Sequence, residues 1–377
     1  MCKIFLCQPG DNSHIHTFGT YTLIVNASIV LHIGLPKTGS SSLQSAFSIL
    51  SNQLATKRIY YPVVFKEGFN WKAERGLGAG NANIHEPYSW STDNHVERLS
   101  ELIDKTIVTT DGVTLLSSEL LNSLACIESF WQMLQAKEST HRAKIKVVGY
   151  VRNPFDMFVG CYQQSIKLGG FRGSLDDSVD EFLEGTGPMT FRFLKEITHF
   201  FEYSSKYQIE VELFHYDNLG EDITQHFFNK ILNTDISNFE FIPRRVNRSL
   251  QPVEVEFHRG VNSVSQKLGQ LLGFDKSDTL LGGLTRFNAL PQLPFSLSKE
   301  SEDRLSASFS KLRSDLNHSM NFGFQINYSI NRINLPFSLS KEQEELKTQI
   351  FELGKFVATS FESGYINWDF KNSINLK

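Results

Sequence analysis

The residues in this chain best suited to chemistry crowd into one short stretch, IVLHIGLPKTGSSSLQ, at positions 29–44. It predicts an apolar strand over 29–33, a loop with Gly34, Pro36, Lys37, Thr38 and Gly39, and a helix opening on Ser40, Ser41 and Ser42. Leu43, Ala46, Phe47, Leu50 and Leu54 share one face of that helix. A strand that feeds a glycine-containing loop into a helix N-terminus builds an anion site. Unpaired N–H groups converge there, and the helix end carries about half a positive charge. Glycine lets the backbone come close to a phosphate, serine adds hydroxyl donors, and Lys37 supplies a cation. The three serines taken alone would fit plain helix capping equally well.

The stretch is not the common nucleotide loop G-x-x-x-x-G-K-[ST], in which lysine follows the second glycine and a hydroxyl holds magnesium. Gly34 and Gly39 keep that spacing, but Ser40 stands where the lysine would be and Lys37 lies inside the loop. No second motif offers a magnesium carboxylate. A magnesium-dependent P-loop kinase therefore fits less well than an enzyme that grips an anion without a metal.

LPKTGSSSL resembles the 5′-phosphosulfate loop of sulfotransferases that use 3′-phosphoadenosine 5′-phosphosulfate (PAPS), whose signature runs PKTGT/S-T/S-x-L. VGYVRNPFDMFVGCYQQ, at 148–164, resembles the family's 3′-phosphate motif, YVRNPxDxxxSxYxQ, and FHYDNL, at 214–219, is similar to its YEdL strand end. The resemblance implies a PAPS-dependent sulfotransferase of the soluble, bacterial type. Its implied fold is α/β: a P-loop-like, three-layer arrangement of a mainly parallel sheet flanked by helices. In it Pro36, Lys37 and the backbone from Thr38 through Gly39 to Ser42 hold the phosphosulfate, with Ser40 and Ser41 the expected hydroxyl contacts by motif position. Arg152 holds the 3′-phosphate, a role that suits a planar guanidinium. The competing reading of Arg152 is an ion pair with Asp156, four residues on. Where the family pattern has a serine eight residues after this arginine, the chain has Gly160, which removes a hydroxyl donor.

Arg244, Arg245 and Arg248 in PRRVNRSLQP resemble the family's Asn-x-Ser loop, with Asn247 and Ser249 in matching places, and are expected to close over the nucleotide or to form a solvated surface loop. A general base must take the acceptor's proton. Glu119, ending VTLLSSE, looks equivalent to the family's base on the strand before the 3′-phosphate motif; it would otherwise hydrogen-bond Lys37 or cap a helix. His85, in NANIHEPYSW, is the alternative base or acceptor contact, or else a surface histidine. The resemblance implies a carbohydrate acceptor, as in many soluble bacterial members, with lipids, small phenols and peptides open. Phe69, Trp71, Tyr88 and Trp90 among the glycines and asparagines of 65–93 suit stacking on sugar rings or plain loop packing. A KLGGFRG segment at 167–173 is expected to act as a glycine-hinged flap. A non-catalytic adenosine-bisphosphate-binding or scaffold protein is the alternative from another class, kept open by Gly160 and by the tail described below.

The elements that must position these residues alternate strand and helix from residue 28 onward: strands at 59–64, 113–117, 144–151 and 209–216, helices between them. Such an order implies a parallel sheet with helices on both faces and ligands beyond the strands' C-terminal ends. The expected division is an N-terminal extension of unknown role at 1–27, a PAPS-binding core at 28–250 and a helical C-terminal region at 251–377. That last region carries LPFSLSKE twice, at 293–300 and 335–342. Ser340 and Gln343 give the second copy a capping box, which Ser301 breaks in the first.

Composition narrows the rest. The 377 residues are 40% hydrophobic and 12% aromatic, enough for a substantial core. A net charge of −4 argues against nucleic acid as a partner and means that an anionic donor must be held by local cations. Cys2, Cys7, Cys126 and Cys161 form no C-x-x-C pair, so neither a metal nor a disulfide framework is expected. No run approaches the ~18–20 apolar residues of a transmembrane helix, and the N-terminal apolar patch is shorter than the about 7–15 of a signal peptide. A cytoplasmic setting is the expectation.

Overall fold

The computed structural model describes residues 27–35, 37–62, 80–81, 92–107, 112–119, 121–184, 196–237, 239, 249–269, 293–319 and 338–363. Five strands make one sheet: β1 (Ser28–Ile33), β2 (Ile59–Tyr60), β3 (Val113–Ser118), β4 (Lys144–Val151) and β5 (Glu210–His215), in spatial order β2-β3-β1-β4-β5. Every pairing is parallel. β1 sits at the centre; the chain crosses to the edge strand β2, returns to β3 beside β1, and then builds outward on the other side through β4 to β5. All five C-terminal ends therefore open on one edge, where ligands of doubly wound sheets bind.

The neighbouring strands β1 and β4 read as largely apolar runs because both of their faces are covered, while the edge strand β5 alternates. In β1, Ile29, Leu31 and Ile33 point into one core layer and Val30 into the other; in β4, Ile145, Val147 and Val151 alternate in the same way with Val148 and Tyr150. On the Val30 side lie α1 (Ser40–Ile49) and α2 (Ser51–Thr56), with Phe47 buried against Phe227 and Phe228. The sequence suggested one helix through Leu54, and the chain breaks it at Leu50. The opposite face is covered by α3 (Thr92–Ile107), α4 (Leu121–Leu124), α5 (Glu128–His141), α6 (Pro154–Gly169), α7 (Val179–Glu184) and α8 (Ile197–Tyr207), whose Leu99, Trp131, Phe158, Phe182 and Phe200 are all in that core. α9 (Ile223–His226) follows β5. β2 is shorter than the expected strand over 59–64, whose last two residues lie outside the described ones.

The two LPFSLSKE copies lead into helices with different partners. α11 (Lys299–Ser319) follows the first and joins the main core through Leu305, Phe309 and Leu312, while Ser298 donates to Asp176 Oδ1 at 2.6 Å. α12 (Lys341–Glu362) follows the second and lies on α10 (Pro252–Val264) in a separate cluster around Phe257 and Val261. That crossing is reciprocal: a Cβ on Gly260 would stand 2.0 Å from Phe351 O, and one on Gly354 2.2 Å from Phe257 O. The expected capping box forms, with Ser340 N donating to Gln343 Oε1 at 2.9 Å and Gln343 N to Ser340 Oγ at 3.3 Å. Among the described residues no helix is long and apolar enough to cross a membrane.

The glycine-hinged flap at 167–173 gives way to a pinned helix end. Gly170, at φ 70, ends α6, the next N–H, that of Phe171, donates to Ser165 O at 3.0 Å, and Asn262 of α10 donates to both Ile166 O and Phe171 O at 2.9 Å. The glycine pair serves the left-handed turn after the helix, not a hinge.

Candidate active site

The loop after β1 is anchored before it reaches its functional residues. Gly34 N donates to Ser118 O at 3.0 Å, and Asn122 Nδ2 to Gly34 O at 3.0 Å. Thr38 Oγ1 donates back to Leu35 O at 2.8 Å. Lys37 takes φ 64 and Gly39 φ 76; left-handed backbone costs a non-glycine residue energy and persists where the surroundings impose it, often at functional loops. Gly39 is the N-cap of α1, and as glycine it offers no side chain to occupy the first-turn N–H groups. A Cβ there would press on Ile223 and Tyr216 at 3.2–3.3 Å.

Lys37 runs back over α6. Its methylenes pass so close to Gly160 that a Cβ would lie 2.9 Å from Lys37 Cγ. Burial lowers its pKa from 10.5 to about 8; Glu119 and Cys161 oppose that shift, while Lys167 and Arg152 reinforce it. The space that the family pattern gives to a serine side chain is thus filled by the lysine itself.

Glu119 follows β3 directly and accepts from Ser40 Oγ at 2.5 Å. The residue presents part of its surface to solvent, but the protein packed round the carboxyl raises its pKa, against the lowering effects of Ser40 and Lys37. Ser40 is therefore buried and turned toward Glu119, whereas Ser41 and Ser42 are half-buried. The site thus holds a carboxylate and an ammonium that sense each other electrostatically, groups of the kinds that serve as general base and as stabiliser of negative charge.

Arg152, at the end of β4, donates from Nη1 to Lys37 O at 3.2 Å and from Nε to Asp217 Oδ1 at 3.2 Å. Its guanidinium lies 5.4 Å from the Tyr216 ring centroid. Asp217 Oδ2 also accepts from Asn153 N at 3.2 Å, so one carboxylate at the end of β5 steers both residues after β4. The carboxylate bonded to Arg152 is thus Asp217 and not Asp156, which senses the arginine only electrostatically. Asn153 caps α6 by accepting from Phe155 N at 3.0 Å.

The structure brings Lys37, Thr38, Gly39, Ser40, Ser41, Ser42, Glu119, Arg152 and Gly160 to the C-terminal edge of β1, β3 and β4. Pro36, His85, Arg244, Arg245 and Arg248 lie outside the described residues. Asp217 and Tyr216 went unnoticed as single residues although FHYDNL contains both, because nothing in that hexapeptide alone says which side chain turns toward Arg152. The polar layer beneath the loop was missed as well: Gln44 Nε2 donates to Ser117 Oγ at 3.2 Å, and His32 Nδ1 lies 2.8 Å from the same oxygen.

A family model described as "Sulfotransferase domain" matches residues 28–229, the span from β1 to the helical turn after β5. No curated protein matches the chain.

Proposed function

Because the chain belongs to the sulfotransferase family, we propose that it moves a sulfuryl group from PAPS to an acceptor hydroxyl or amine, with a carbohydrate as the acceptor class. The observation that carries the donor assignment is the bond from Arg152 Nη1 to Lys37 O. It supports one nucleotide held by two cationic groups on neighbouring strand ends.

The residues fit such a donor. α1 offers a helix N-terminus with no side-chain cap, glycine stands where a Cβ would crowd the cradle, and Arg152 is held by Asp217 with Tyr216 beneath it. In this reading Lys37 and the N–H groups from Thr38 to Ser41 hold the phosphosulfate, the Ser42 N–H being taken by Gly39 O at 2.9 Å, with Pro36 shaping the loop, and Arg152 holds the 3′-phosphate. When bound, PAPS supplies a sulfuryl group on an anionic phosphate leaving group. Lys37 stabilises negative charge on the leaving side, which positioned cations do at little reorganisation cost. Glu119 takes the proton that the acceptor loses on attack, with His85 the second candidate. Ser40 orients Glu119, and Arg244, Arg245 and Arg248 close over the nucleotide. No metal enters this scheme.

Residues 28–250 make the donor-binding core in this proposal, and 251–377 a helical extension. The carbohydrate preference rests on the resemblance to soluble bacterial members, many of which act on glycans, and is in keeping with the aromatic, glycine and asparagine content of 65–93, most of which lies outside the described residues. The test follows adenosine 3′,5′-bisphosphate release with PAPS and a panel of glycans, phenols, lipids and peptides, for wild type and Lys37→Ala. Turnover with a glycan, lost in the variant, supports the proposal. Nucleotide binding without turnover across the panel turns the assignment toward a scaffold, and ATP binding weakened by EDTA toward a kinase.

A further inference from the structure

His32 is the most deeply buried histidine of the sheet, fully enclosed one residue before the C-terminal end of β1. Burial lowers its pKa to about 3, so the ring is neutral. Its Nδ1 lies 2.8 Å from Ser117 Oγ, the side chain of its own register partner on β3. Nε2 meets no hydrogen-bond partner among the described residues. Around the ring stand Phe227, Phe47 and Tyr150, edge-on, with centroids at 5.6, 6.4 and 6.1 Å.

These contacts select a tautomer. With the proton on Nε2, the N–H faces an aromatic box, where an N–H···π contact offsets part of its desolvation. Nδ1 then accepts from the Ser117 hydroxyl, whose oxygen accepts in turn from Gln44 Nε2 at 3.2 Å. The opposite tautomer would leave a bare lone pair against the rings and remove Nδ1 as the acceptor of the Ser117 hydroxyl proton. The polar chain therefore runs in one direction, Gln44 to Ser117 to His32. Ser117 N is fixed as well, donating to Asn81 Oδ1 at 2.8 Å.

Gln44 lies one turn beyond Ser40 on α1, and Ser117 two residues before Glu119. The bond between Gln44 and Ser117 and the bond between Ser40 and Glu119 therefore staple the same helix to the same strand end at successive points. We propose that His32 is a positioning residue: by accepting from Ser117 it fixes α1 against β3 and so holds Ser40 on the Glu119 carboxylate. The value of this device for turnover rests on the reading of Glu119 as the general base.

The test measures the Glu119 titration directly, by carbon-13 NMR of the labelled carboxyl, in the full chain and in His32→Phe, which keeps a ring of similar size and removes the acceptor. The Ser40 bond lowers the Glu119 pKa, so loosening it should move the titration to higher pH and reduce kcat roughly ten- to a hundred-fold, the scale of a small misplacement at a reacting group. His32→Asn, whose amide oxygen falls near the place of Nδ1, should restore both. Ser117→Ala, a smaller change at the other end of the same bond, should reproduce the effect and gives the same readout if His32→Phe does not fold. An unchanged Glu119 titration in a folded variant overturns the proposal, even if the melting temperature falls. Glu119→Gln is assayed in parallel. If it keeps wild-type turnover while His32→Phe still shifts the titration, the positioning role stands and the general-base reading falls.

Discussion

Lys37 lies across Gly160 so closely that a side chain at 160 and the present path of the lysine exclude each other: a Cβ would stand 2.9 Å from Lys37 Cγ. Gly160→Ala and Gly160→Ser should therefore push the lysine aside. Replacing a mid-helix glycine favours the helix by roughly 0.5–1 kcal/mol, which offsets the crowding. The expected outcome is near-unchanged stability with kcat/KM about ten-fold lower, checked by chemical denaturation beside steady-state kinetics. A variant of full activity would show that the lysine works from another path.

Burial holds the Lys37 ammonium at a pKa of about 8, against 10.5 ordinarily. The charged form, which grips an anion, is present below about 8 and lost above it. Affinity for adenosine 3′,5′-bisphosphate should fall by up to about ten-fold per pH unit above that point, as read by calorimetry. Lys37→Arg, charged throughout, should flatten the fall. In the free protein the unfolded chain keeps this proton up to about 10.5, so between about 8 and 10.5 the unfolded state binds more protons. Stability contributed by this residue therefore rises with pH across that window.

Protein packed round Glu119 raises its pKa from the ordinary carboxylate value. A base works only when deprotonated, so the acid limb of kcat/KM should lie above the usual carboxylate range, with activity lost as pH falls through it. Glu119→Gln should lower kcat by about 10²–10⁴-fold and abolish that limb. Circular dichroism of the variant checks that the fold is kept.

Arg152 should discriminate between nucleotides by a single phosphate. A charge-assisted hydrogen-bonded pair contributes about 1.5–3 kcal/mol, so Arg152→Lys is expected to weaken adenosine 3′,5′-bisphosphate roughly ten- to a hundred-fold. Adenosine 5′-phosphate, which lacks the 3′ group, should bind both proteins alike. Equal weakening of both ligands would place the arginine at a different part of the nucleotide.

The crossing of α10 over α12 tolerates no side chain at its closest point. Gly354→Ala puts a Cβ 2.2 Å from Phe257 O, an overpacking expected to cost about 1–3 kcal/mol. Urea denaturation should show the loss, while nucleotide affinity at the distant loop stays as in wild type.

The elements that carry the site were legible in the chain because each leaves a local trace. The apolar runs of β1 and β4, the single-face periodicity of α1 and the lysine and glycines between strand and helix are patterns of neighbours, and neighbours set local backbone geometry. The parallel sheet followed from their alternation. The pinned end of α6 and the different partners of the two LPFSLSKE copies left no such trace, because each depends on residues far away in the chain. The same holds within the site. That Arg152 would bond Asp217 in preference to Asp156, that Ser40 would turn to Glu119, and that a lysine would fill the place of a missing serine all depend on how segments distant in sequence meet. Residue types and their spacing were enough to say which groups could grip an anion; which of them face one another came from the folded arrangement, since hydrogen bonds and burial act through distance in space and not through position in the chain.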